Sequence, residues 1–62
     1  MFEEINNIYG ITLGELREYI NNNLKDFSDN IKLNFCVTNT DKEHVEVKQI
    51  IADEDSVTFY DI

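Results

Sequence analysis

The chain has 62 residues, with 13 acidic side chains against 5 basic ones and a formal net charge of −8. A field of that sign repels nucleic-acid phosphate and anionic lipid, and so few dispersed cations form no basic stripe along which a nucleic-acid backbone could lie. Apolar residues make up 42% of the chain, too many for a disordered acidic tail, so one folded domain spanning residues 1–62 is expected.

A chain of this size buries only roughly 60% of the surface its unfolded form exposes, and such domains usually need a staple or a partner. Cys36 is the single cysteine, which excludes an internal disulfide, and His44 is the single histidine, which leaves no Cys/His set for structural zinc. Self-association is the expected supplement, as a homodimer. The opening Met1-Phe2-Glu3-Glu4 places acids where a secretory signal needs cations. No run approaches the roughly 20 apolar residues that cross a bilayer. A cytoplasmic location with no membrane contact is expected.

In chain order, Phe2, Ile5, Ile8 and Tyr9 have helical spacing and predict a short helix over about 2–9, closed by Gly10. Thr12 and Glu15 form the pattern of a capping box, with Ile11 and Leu16 placed as a hydrophobic staple. Leu13, Leu16, Ile20 and Leu24 recur at three- and four-residue steps, so the main amphipathic helix is predicted over about 12–25. Tyr19 falls beside that stripe, at its rim.

Ile31, Leu33, Phe35 and Val37 alternate with polar neighbours and predict a strand over about 31–38. A polar connection of hairpin length, Asn39 to Glu43, leads to a second strand over about 44–52, with Val45, Val47 and Ile51 on its inner face. Gln49 interrupts that face and Ile50 falls on the other, the mark of a bulge. Asp53-Glu54-Asp55-Ser56 reads as a turn before a third strand over about 57–62. The fold class is α+β: one main helix and a short N-terminal helix packed on a three-stranded antiparallel meander in the order 1-2-3. Its outer face would carry Cys36, Ile50, Tyr60 and Ile62 among polar residues, more apolar than solvent requires.

Chemistry is sparse. A Cys36–His44 pair across the first hairpin is conceivable, but a thiolate needs an electropositive setting and this chain supplies the opposite field. No catalytic residue is assigned. The Asp53-Glu54-Asp55 turn lacks the spaced oxygens, the glycine and the closing glutamate of a calcium loop, so no metal ligand and no cofactor are assigned. With only Gly10 and Gly14, there is no phosphate-binding loop. Rows of carboxylates have a further use, since they can imitate DNA phosphates. Glu3, Glu4, Glu15 and Glu18 would make one such surface, and Asp41, Glu43, Asp53, Glu54, Asp55 and Asp61 another.

The run from Thr12 to Ile20, with its T-x-x-E-L start, followed by Phe27 to Phe35 and an acidic turn before the final strand, resembles a pattern in short phage and bacterial proteins. The likeness covers about residues 11–62. It departs in the three asparagines Asn21, Asn22 and Asn23, where a proline-containing turn is usual, and in the added residues 1–10. The resemblance implies a phage or mobile-element origin, where small acidic inhibitors of host enzymes or defence systems recur. It carries over no functional residues. The expected function is a non-enzymatic protein-binding module, most specifically a phage-encoded modulator or anti-defence inhibitor, whose protein partner has a basic surface. Tyr19, Ile50, Tyr60 and Ile62 would supply apolar contact, and Asp53, Glu54 and Asp55 the charge. Two alternatives stand beside it: an acidic DNA mimic, and a structural homo-oligomer or assembly component.

Overall fold

Thr12 starts the helix as its sequence requires. The Glu15 N–H donates to Thr12 Oγ1 (3.1 Å) and the Thr12 N–H donates back to Glu15 Oε1 (3.0 Å), so the capping box is closed. The computed structural model describes residues 2–38, 41 and 44–62. Its elements run β1 (Glu3–Asn6), α1 (Leu13–Asn23), β2 (Lys32–Cys36), β3 (Gln49–Ala52) and β4 (Ser56–Tyr60). The Asn39–Glu43 connection lies largely outside the described residues, Asp41 excepted.

The four strands form one mixed sheet in the order β1-β3-β4-β2. β3 pairs antiparallel with both β1 and β4, while β2 pairs parallel with β4. Three expectations are thereby corrected. Residues 2–9 hold an edge strand, not a helix: Ile5 finds a partner in Ile50. The apolar residues that suggested helical spacing, Phe2, Ile8 and Tyr9, are exposed. The meander is absent as well, because β2 does not turn back onto the next segment. The regular second strand is also shorter than expected, since residues 44–48 lie outside any ladder. Instead Val47 and Lys48 bridge elements: the Ile11 N–H donates to Val47 O (2.6 Å), the Asn7 N–H to Lys48 O (2.8 Å), and the Lys48 N–H to Tyr60 O (2.9 Å).

That detour explains the faces. Val47 and Ile50 both pack on the core although three residues apart, so the inward alternation slips by one between them. Gln49 marks the slip. Ile50, expected on the outer face, is 1% exposed and sits at the centre of a row of facing residues, Ile5, Ile50, Phe59 and Phe35. The neighbouring row is Glu3, Ala52, Val57 and Leu33. Tyr19 comes down on this face from α1 and is 4% exposed, in the core rather than at its rim. One helix over one sheet gives a flat body, 35 × 22 × 15 Å along its principal axes.

The turn from β1 into α1 depends on one glycine. Gly10 has φ +102°, and its N–H donates to Asn7 O (3.0 Å). The Asn7 side chain accepts from the Tyr9 N–H (3.0 Å) and donates to Glu15 Oε1 (2.9 Å), tying the turn to the helix cap. A Cβ at Gly10 would collide with the Glu46 carboxylate. Gly10→Ala should therefore lose about 1–2 kcal/mol from the left-handed backbone, while the exposed end of the Glu46 side chain can swing aside. Thr12→Ala should cost about 1 kcal/mol through the lost cap. Urea unfolding of each variant measures both.

Candidate functional site

The helix does not cover the sheet evenly. Its buried contacts come from Leu16, Tyr19 and Leu24, whereas Leu13 is 69% exposed and Ile20 also lies open. The apolar stripe read from the sequence is thus split, one half on the core and the other, Leu13 and Ile20, left exposed. On the strand side, Leu33 is 62% and Phe35 70% exposed, and Val37 continues the open line. Phe35 leans on Phe59 in a stacked pair, ring centroids 5.1 Å apart and planes 20° from parallel.

Between helix and strand runs a groove of about 360 Å³. Leu16, Ile20, Leu24, Phe27, Ile31 and Leu33 wall it, Ile50, Val57 and Phe59 floor it, and Asp29 is its one ionisable carboxylate. β2 is also a sheet edge, paired among the described residues only with β4. An apolar groove, exposed large side chains and an open strand edge therefore coincide on one flank. Such a combination marks a contact surface.

The acids are grouped elsewhere. Glu4, Glu15 and Glu18 line a cleft on the β1 side of α1 with Tyr19, Asn22 and Asn23. Several carboxylates hold the fold. Glu3 accepts from Asn23 Nδ2 (3.1 Å), Glu4 from Gln49 Nε2 (2.6 Å), and Asp61 from the N–H and hydroxyl of Thr38 (3.0 Å each). Asp53 Oδ1 accepts from the Asp55 N–H (2.9 Å) and the Ser56 N–H (3.0 Å), closing the β3–β4 turn. These amides lower the Asp53 carboxyl below its ordinary value, Asp55 first and Ser56 second. The Thr12 amide, then the Asn7 side chain, lower Glu15 likewise. Glu43 falls outside the described residues.

The expected contact set is dispersed. Ile50 and Tyr19 are corrected to core positions and have no surface to offer a partner. Tyr60 lies on the opposite face of the sheet, level with Gln49 and Cys36. Ile62 is exposed at the sheet end, beside a cleft of about 350 Å³ lined by Thr38, His44, Glu46, Lys48 and Asp61 among others. Asp53, Glu54 and Asp55 are exposed in the hairpin turn. Cys36 and His44 do not meet across a hairpin, because the strand beside Cys36 is β4 and its partner there is Tyr60. Among the described residues no three of His, Cys, Asp and Glu are grouped to hold a metal ion, and no helix is long and apolar enough to cross a membrane. The residues that do come together, Ile20 and Leu33 at the groove and Phe35 on Phe59 beside it, were visible as apolar positions but assigned to a covered face.

Tyr19 separates the groove from the acidic cleft, and its Oη has no hydrogen-bond partner among the described residues. Burial, followed by the nearby Glu3 and Glu4 charges, pushes its phenol up to about 12 from an ordinary 10.0. The folded state thus favours the neutral phenol, and this contribution to stability is complete below pH 10 and lost as the pH rises through about 12. Tyr19→Phe removes a buried unpaired hydroxyl, so it should raise stability by about 1 kcal/mol and flatten that alkaline loss. Denaturant melts between neutral and strongly alkaline pH check both effects. No family model, no curated protein and no solved structure matches this chain.

Proposed function

We propose that the chain is a non-enzymatic protein-binding module that docks through the flank between α1 and β2. The observation that carries this reading is the exposure of Ile20 and Leu33 at an apolar groove, with Phe35 stacked on its floor residue Phe59 and Val37 exposed further along the chain. Burying such side chains supplies contact energy, and the net charge of −8 bears on encounter alone, speeding it toward a basic partner and slowing it toward an acidic one. The resemblance of the Thr12–Phe35 region to short phage and bacterial proteins favours a phage-encoded modulator or anti-defence inhibitor as the specific form, acting in the cytoplasm of the host.

A DNA mimic is the second reading, favoured by the gathering of Glu4, Glu15 and Glu18 on one cleft. Against it, Glu3, Glu4, Glu15, Asp53 and Asp61 each accept hydrogen bonds that hold turns and element ends together, which subordinates their positions to the fold.

Affinity capture from the source cell, followed by measurement of Kd for the recovered protein, separates the two. Docking predicts that Leu33→Asp weakens binding by about 2 kcal/mol, roughly thirtyfold. It also predicts that reversing Glu18 of the acidic cleft to Lys mainly slows association. Mimicry predicts the reverse pattern: tolerance of Leu33→Asp and collapse on charge reversal.

A further inference from the structure

Resting on the docking reading above, we infer that the occupant of the β2 flank is a second copy of this chain, joined strand to strand through β2 about a two-fold axis at Asn34. The first ground is the pattern of the strand. Ile31, Leu33, Phe35 and Val37 share the helix-side face, and they are symmetric about Asn34. If two β2 strands run antiparallel with Asn34 opposite its own counterpart, Leu33 faces the second copy's Phe35 twice over, and Ile31 faces the second copy's Val37. Registers offset by one residue would put an apolar face against a polar one, because side chains alternate with period two. The palindrome selects the register.

Charge is the second ground. β2 carries a single ionisable cation, Lys32, and in this register it stands opposite the second copy's Cys36, so the two lysines do not meet. The acidic residues of β1 sit at the far side of the sheet, three strand spacings or about 14 Å from β2. That distance exceeds the Debye length of about 8 Å at physiological ionic strength, so the β1 carboxylates are screened from this contact, and the acids that stay near it are Asp29 in the groove and Asp61, bonded to Thr38.

The third ground is area. A stable interface removes about 800 Å² per partner, which is roughly one sixth of this chain's 4804 Å² of accessible surface. Strand pairing alone falls short of that. Pairing at β2 continues the sheet, however, and leaves both helices on one face with the two grooves facing each other across the axis. Ile20 of each copy is thereby brought toward the same seam. The product is an eight-stranded sheet in the order β1-β3-β4-β2-β2-β4-β3-β1.

Sedimentation equilibrium of the full chain, with thermal unfolding over a wide concentration range, tests the inference. The expected result is a dimer whose unfolding midpoint rises with concentration. Leu33→Glu and Phe35→Lys should each weaken it at least tenfold. The double variant should regain most of the loss, because opposite charges then face each other at both cross-axis pairs. In a Cys36→Ser background, Asn34→Cys should form a disulfide-linked dimer under mild oxidation. A wild-type chain that sediments as a monomer throughout, with a concentration-independent midpoint, overturns the second copy. So does a dimer that tolerates both single changes and yields no cross-link. Failure of the docking reading is read separately: a monomer that loses a captured partner on Leu33→Asp leaves that reading standing, whereas unchanged capture removes it too.

Discussion

Ile50 is the point from which the sheet is organised. It touches Ile5 on one side and Phe59 on the other, and Phe59 in turn stacks on Phe35, so a single apolar row crosses all four strands. Burying one such side chain fully stabilises by roughly 1.5–3 kcal/mol, a large share of what a chain this short can muster. Both edges hang on this row. β1 has a place only because Ile50 presents inward, and β2 only because β4 turns its second side outward. The helix adds Leu16, Tyr19 and Leu24 from above but stops short of the β2 end. That shortfall creates the groove.

The acidic excess works at two ranges. At long range it is a negative field that repels other polyanions. At short range particular carboxylates replace the capping and turn chemistry that proline and glycine supply elsewhere, in a chain with no proline and two glycines. Asp53 closes the β3–β4 turn by accepting two amides, and Glu15 joins the helix cap to the Asn7 turn. Asp61, the residue after β4, fastens Thr38, two residues past β2. The placement of these groups follows backbone geometry, which is why they are spread around the body instead of forming one surface.

Local signals were legible in the sequence; pairings at a distance were not. Thr12 and Glu15 announced the helix because a cap is a contact over three residues, and the alternation from Ile31 to Val37 announced β2 in the same way. Residues 2–9 misled because four apolar positions fit a helical wheel, while the partner that makes Glu3–Asn6 a strand lies over forty residues on. The meander was inferred from the shortest route between strands. The chain took a longer one, since the middle of the sheet goes to the β3–β4 hairpin, whose inner positions Ile50, Ala52 and Val57 are its best-buried side chains. The slip at Gln49 was visible as an irregularity, but its direction was not, so Ile50 was placed on the wrong face. The candidate surface was obscured for a related reason: nothing in Leu33 and Phe35 distinguishes a core face from one that its own helix fails to reach.

β4 is the fifth element in chain order, yet it lies between β3 and β2. During synthesis β2 therefore emerges with no ladder to join, and it must stay unpaired until more than twenty further residues have left the ribosome. At about 5–20 residues per second that wait lasts roughly 1–4 seconds, long compared with hairpin closure in microseconds. Throughout it, an alternating apolar segment is offered to any nascent neighbour on the same message. β1 waits longer still for β3, but its only apolar side chain is Ile5, so of the two waiting strands β2 is the one that leaves an alternating apolar face uncovered.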